Sequence, residues 1–178
     1  MSPGIPSDGR AENGETAEET AGSVNTVGGF LVDEAGMICG IADASAAVDD
    51  GVLILPSEGC TGIKTGAFLE APAGIVEVYL PENIAVIETG AFLGLTEVEW
   101  YEAEAENGEY YTEDGIIFSE NGTCILAFPP GRTGIYPVPA QVTAFADDAF
   151  AGARIEKLIT VECGLTDTGN LPESIAVM

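Results

Sequence analysis

The chain has 178 residues, 30 acidic side chains against 5 basic ones, no histidine and a formal net charge of −25. That surface repels nucleic-acid phosphates and anionic headgroups and keeps the chain monomeric, while the missing histidines remove Ser-His and Cys-His nucleophiles and every imidazole metal ligand. A hydrophobic fraction of 46% excludes wholesale disorder, and no stretch approaches the roughly 18 to 20 apolar residues of a membrane helix.

Residues 1–28 are rich in Gly, Ser, Thr and Glu and almost free of large apolar groups. They read as a disordered acidic linker, a composition that fits an exported chain trimmed of its signal. Next, GGFLVDEAGMICGI alternates apolar and polar residues around Glu34-Ala35-Gly36, the pattern of a β-hairpin. Residues 29–50 are assigned to this cap, because the first unit of a stacked array needs its apolar edge covered.

Repeats occupy residues 51–103 and 136–178. Leu80-Pro81-x-x-Ile84-x-x-Ile87-x-x-x-Ala91-Phe92 is echoed by Val138-Pro139-x-x-Val142-x-x-Phe145-x-x-x-Ala149-Phe150. A looser copy runs from Leu55-Pro56 to Ala67-Phe68, and LPESIAVM at the end of the chain starts another, close to LPENIAVI at Leu80. Phe68 and Phe92 are 92 − 68 = 24 residues apart, which fits one short strand and one turn or short helix per unit. Ile75, Val78 and Leu80 have the spacing of a strand burying alternate side chains, and Pro81, without an N–H, ends its ladder. Val98, Tyr101 and Ala103, then Ile155, Leu158 and Thr160, recur alike. The Phe rings of the Ala-Phe pairs are expected to stack from coil to coil as one internal column.

Phe150 follows Phe92 by 150 − 92 = 58 residues, one unit plus an insert placed at 104–135. Its apolar runs, Ile116 to Phe118 and Cys124 to Phe128, flank Asn121-Gly122, read as a two-residue turn with both φ values positive. The hairpin projects from one coil or replaces it. Asn121-Gly122-Thr123 also spells a glycosylation sequon, but it coincides with the turn, which is the preferred reason for it. Cys39, Cys60, Cys124 and Cys163 form no CxxC pair, which argues against zinc or a redox motif. Cys60 falls where other copies carry Ile84 and Val142, the place of a small buried hydrophobe.

The repeated phrase, the EDGIIFSENGTCILAFPPG hairpin and the FLVDEAGMICGI cap resemble the BspA-like leucine-rich-repeat family of bacterial surface and secreted proteins over about residues 29–178. The Asn/Cys ladder position of the ordinary leucine-rich repeat is missing. The resemblance implies a mainly β, right-handed solenoid of short parallel strands, an extracellular or cell-surface location, and adhesion to a host or cell-surface protein or glycan without cofactor or chemistry.

With Val78 and Leu80 inward, Glu77 and Tyr79 point outward, and the same alternation exposes Ile54, Trp100, Glu102, Lys157 and Ile159. These seven side chains are expected on one contiguous face, with aromatic anchors suited to proteins or sugar rings. For Trp100 a second reading stands beside this one, packing against the inserted hairpin. The acidic run from Glu97 to Asp114 lacks the Asp-x-Asp-x-Asp-Gly order of a calcium loop, and a strand edge kept charged against pairing explains it. The adjacent pairs Asp49-Asp50 and Asp147-Asp148 give no reason to place two carboxyls across a glycosidic bond. Non-enzymatic binding is therefore the expectation, with a ligandless structural spacer of a longer surface protein as the alternative.

Overall fold

The structure is a computed structural model in which residues 22–104, 108–168 and 171–178 are described. Most of the expected linker, residues 1–21, lies outside them. The chain opens with an antiparallel meander of β1 (Asn25–Val27), β2 (Phe30–Val32) and β3 (Met37–Ile41). This corrects the boundary at 28: β1 contributes no large buried side chain, and its order comes from backbone pairing with β2 across a Gly28-Gly29 turn. The short helix α1 (Ala44–Ala47), capped by the Asp43 carboxylate accepting from Ser45 N at 3.0 Å, leads into β4 (Val48–Asp49).

Each coil then supplies a longer strand on one wall, a proline turn, a two-residue strand on the opposite wall and a tight turn back. The strands in order are β5 (Val52–Ile54), β6 (Gly62–Ile63), β7 (Glu77–Leu80), β8 (Val86–Ile87) and β9 (Trp100–Ala103). On the first wall β5, β7 and β9 pair in parallel; on the second, β3, β6 and β8 do. The proline turn recurs as Pro81 O accepting from Ile84 N at 3.1 Å and Pro139 O from Val142 N at 3.0 Å. In the turn before each Ala-Phe pair, Lys64, Glu88 and Ala146 carbonyls accept from Ala67, Ala91 and Ala149 N. Its third position needs a positive φ, held by Gly66, Gly90 and, at 60°, Asp148.

The insert is β10 (Tyr110–Glu113), β11 (Ile116–Ser119) and β12 (Cys124–Ala127), an antiparallel sheet. β13 (Thr133–Pro137), β14 (Ala144–Phe145), β15 (Arg154–Ile159) and β16 (Ala176–Val177) follow. β14 extends the insert's sheet in parallel from β12, while β13, β15 and β16 form a separate parallel sheet. β13 therefore begins inside 104–135, because Thr133 already pairs with Arg154.

Two expectations change, the insert's turn and the single aromatic column, and of the two placements open for the hairpin the structure has the one within the stack. The two-residue turn with two positive φ values is Asp114-Gly115, at 51° and 70°, and Asn121 does not share it. Gly122 N instead donates to Ser119 O at 2.8 Å, and Asn121 Oδ1 accepts from Ser119 Oγ, Thr123 N and Thr123 Oγ1. The sheet is an interior wall: Ile116, Ile117 and Phe118 are each at most 1% exposed, with Ile117 in a core shared with the cap and early coils, Ile116 and Phe118 in a second core with the later ones. The aromatic column accordingly divides into Phe30, Phe68, Phe92 and Tyr101, then Tyr136, Phe128, Phe150 and Phe145. LPESIAVM keeps the proline turn, Ile175 N to Pro172 O at 3.0 Å, yet joins β15. Its sequence equivalents lie in other sheets, β8 beside β6 and β14 beside β12, and on β14 Asp167 takes the place beside Ala144.

Cys60 is 3% exposed, and all four cysteines are unpaired. Asn83 does ladder work in one coil, its Nδ2 donating to Pro56 O at 3.1 Å and Cys60 O at 2.8 Å.

Candidate functional site

Parallel pairing in register sets outward side chains into rows across the first wall. Val52, Glu77 and Trp100 form one row, and Ile54, Tyr79 and Glu102 the next. Ile54 is 45% exposed and Trp100 38%, Glu102 is exposed, and Glu77 and Tyr79 are half-buried; Leu53, Val78, Leu80 and Tyr101 point into the core. Five of the seven candidates therefore share one surface.

Lys157 and Ile159 do not join it. They lie on β15, beside Ile135 and Pro137 of β13, in the sheet that is not hydrogen-bonded to β9. The single contiguous face becomes two because the insert closes the edge of β9. In the regular coils Gly51 O accepts from Val76 N, and Val76 O from Glu99 N, both at 2.8 Å. At the next step Glu99 O accepts from Arg132 Nε at 2.9 Å, so a side chain replaces the following coil's N–H. Further along, Tyr101 N donates to Gly115 O and Ala103 N to Thr112 Oγ1, each at 3.0 Å. Such closure removes a free ladder that would otherwise recruit another strand.

Trp100 meets both of its readings. Its indole packs against Gly115, where a Cβ would come within 2.6 Å of Cδ2, and the Arg132 guanidinium lies 5.2 Å from its ring centroid. Its Nε1 donates to Glu102 Oε2 at 2.8 Å. Arg132 is fixed in turn by the Asp114 carbonyl and, at 3.4 Å, the Asp114 carboxylate. The ring is thus partly exposed and immobilised by a cation–π contact and a hydrogen bond.

Arg132, Gly115 and Thr112 escaped the sequence reading. The Asp114-Gly115 dipeptide ahead of an apolar run was the available signal, and one of only five basic residues stood three positions after Pro129.

The acidic run from Glu97 to Asp114 links coils. Glu97 Oε2 accepts from Gly74 N at 2.6 Å, and Glu104 Oε2 from Glu82 N at 3.3 Å; Glu106 lies outside the described residues. Among the described residues no group of three or more Cys, Asp or Glu is arranged to hold a metal. Asp50 and Asp148 occupy positive-φ turn positions. Between cap and first coil, Lys64 Nζ meets Asp33 Oδ2 at 2.6 Å, and hydrogen bonding to Lys64, then to Met37 N, holds the Asp33 carboxyl below its ordinary pKa.

No protein-family model matches the chain, and no curated protein does. Two solved structures are similar to it. A leucine-rich repeat protein from Eubacterium ventriosum is 21% identical with a TM-score of 0.56, covering 64% of this chain and 30% of that one. The pneumococcal vaccine antigen PcpA is 18% identical with a TM-score of 0.55, covering 70% and 38%. This chain therefore spans 30% and 38% of the lengths of these two structures. What is shared at such identities is the fold: the chain is a mainly β solenoid coiled as leucine-rich-repeat proteins are.

Proposed function

We propose that the chain is a repeat domain of a bacterial surface or secreted protein of the BspA-like kind, and that it adheres to a host or cell-surface protein or glycan through the β5, β7 and β9 face. The observation that carries this reading is the pair of outward rows with Trp100 clamped between Arg132 and Glu102. A preformed aromatic and carboxylate surface loses little ordering entropy when a ligand arrives. The likeness to a protein described as a vaccine antigen supports the surface location. In this reading binding is by shape and aromatic contact, with no catalytic step.

The test is capture of the purified chain on an array of matrix proteins, mucins and glycans, with calcium and with chelator. Because Trp100 also packs against Gly115, the variant replaces Tyr79 with Ala and Ile54 with Ser. Loss of capture at unchanged melting temperature is expected, while Lys157→Ala with Ile159→Ser on the other sheet leaves capture intact. The reverse pattern would move the site to β15, and a silent array would favour the spacer.

A further inference from the structure

Where the coil after β9 is skipped, the first wall carries an open cleft of about 390 Å³ lined by Val76, Glu77, Glu99, Trp100 and Arg132. That volume is within the roughly 300 to 1,000 Å³ of small-molecule sites. Its floor is rigid, because β7 and β9 pair in register and Glu77 stands beside Trp100, one strand spacing of about 4.8 Å away. Arg132 and Gly115 cover part of the indole, yet Trp100 stays 38% exposed, and Val76, 43% exposed, continues the apolar surface.

Two kinds of polar group in the cleft keep hydrogen-bonding capacity. The Glu77 and Glu99 side chains enter no hydrogen bond or ion pair among the described residues. The Arg132 guanidinium donates through Nε to Glu99 O and through Nη1 and Nη2 to the Asp114 carboxylate and carbonyl, and each Nη keeps a second hydrogen. Strong acceptors and donors thus surround an aromatic surface, the complement of a ring with hydroxyls on its rim and C–H groups on its face. The charges narrow the ligand further. An anionic sugar would meet two free carboxylates and a guanidinium already paired with Asp114. A lysine or arginine side chain would meet Arg132 over the ring that it needs.

We propose that this cleft binds a neutral pyranose, the terminal sugar of a glycan. Its C–H face lies on the Trp100 indole and Val76, two of its hydroxyls donate to Glu77 and Glu99, and an oxygen accepts from Arg132. The rest of the glycan runs over Tyr79 and Ile54 in the next row. The site lies on the face proposed for adhesion and rests on that reading, of which it names the ligand class.

Trp100 is the single tryptophan of the chain, so its Nε1–H gives one indole signal in an NMR titration of the full chain. The probes are the methyl glycosides of glucose, galactose and mannose, methyl glucuronide, and Nα-acetyl-lysine methylamide. At least one neutral glycoside is expected to move the indole signal saturably at about millimolar concentration, the range for a ligand of so few atoms. The glucuronide and the lysine derivative are expected to leave it in place. Glu77→Gln with Glu99→Gln, at an unchanged melting temperature, weakens that glycoside about tenfold, because a charged acceptor makes a hydrogen bond roughly twice as strong as a neutral one. Three silent neutral glycosides overturn the sugar site, as does a glucuronide bound equally well or a double Gln variant that binds as tightly as the parent. Saturable binding of the lysine derivative alone also overturns it and gives the cleft to a basic segment of a protein. In each of those cases array capture that is lost with Tyr79→Ala and Ile54→Ser still upholds the adhesive face, whereas a silent array with silent glycosides overturns both.

Discussion

From the cap to residue 104 the parallel strands stack on their predecessors, β5 to β7 to β9 on one wall and β3 to β6 to β8 on the other. After residue 108 the same kind of coil starts again from an antiparallel sheet, with β14 added to β12 and β15 to β13. The first half continues the sheets begun at the cap, whereas the second starts afresh, from the insert's antiparallel strands on one side and from β13 on the other. The difference teaches that a solenoid can be interrupted at full burial if the interrupting strand has two apolar faces. Ile116, Ile117 and Phe118 are consecutive, and each is buried, Ile117 toward one core and its neighbours toward the other. Alternation along β11 is thus not apolar against polar but one core against the next.

The largest expected effect tests whether that shared wall couples the halves. Phe68 is fully buried with Phe30 and Phe92 on either side, at 6.4 and 6.3 Å. Phe68→Ala is expected to cost about 3 to 5 kcal/mol, measured by urea denaturation. Trp100 fluorescence reports the first half and far-UV circular dichroism both; coincident transitions in the variant mean one cooperative unit. Separated midpoints would show that β11 is a boundary across which the cores unfold independently.

The next effect concerns the seam. Arg132, whose side chain is 20% exposed, donates to Glu99 O at the point where a coil is skipped. Removing a charged donor of this kind costs about 1.5 to 3 kcal/mol, so Arg132→Ala lowers stability by that order and opens the β9 edge to self-association on size-exclusion chromatography. Arg132→Lys does not rescue it, because only the guanidinium fork spans Glu99 O, the Asp114 groups and the indole face together. A lysine variant indistinguishable from the parent would mean that Gly115 and Thr112 suffice to close the edge.

The fold was legible where one residue carries one role. Pro81 and Pro139 mark strand ends, Leu53, Val78 and Tyr101 mark the inward register, and the outward positions of Ile54, Tyr79, Trp100 and Glu102 follow from alternation. It was less legible where a repeated word changed partners. Ala127-Phe128 is an Ala-Phe pair in plain view, 128 − 92 = 36 residues after the previous one, and its ring does enter a column. In the sequence it stands at the end of the insert's second apolar run, Cys124 to Phe128, and the proline phrase that marks the other pairs does not precede it. LPESIAVM shows the converse, a phrase with the expected turn and a different sheet. The division of the candidate face rests on Arg132, whose part depends on a long-range contact with Glu99 that no local pattern encodes.

A smaller effect compares the turns. Gly66 and Gly90 serve the first half, and Asp148 holds the equivalent place in the second at φ 60°. A left-handed conformation costs an L-residue about 1 to 2 kcal/mol, with aspartate among the more tolerant types. Asp148→Gly therefore gains up to about 1 kcal/mol, less what the freer unfolded glycine returns, read as a rise in urea midpoint. No gain would show that the Asp148 carboxylate stabilises its turn as much as the backbone strains it.

The smallest effect appears only in alkali, where it separates the halves by their tyrosines. Tyr136 packs on Phe128 at 5.1 Å, and burial first, then the Asp114 carboxylate, pushes its pKa up to about 12 against an ordinary 10.0. Tyr101, buried in the first half, is raised by burial alone. For a raised acid the sign is fixed: below the unfolded value both states keep the proton, and between the two values only the folded state does. Stability is then complete below pH 10 and falls as pH rises toward about 12. Tyr136→Phe has no proton to lose, so its stability declines less steeply than the parent's over that window, as urea midpoints at successive pH values would show. Part of the residual slope belongs to Tyr101, and Tyr101→Phe with Tyr136→Phe flattens it further. If Tyr136→Phe instead followed the parent curve, the ring would be reached by water in the folded state, and the second core would be more open at β13 than its packing against Phe128 implies.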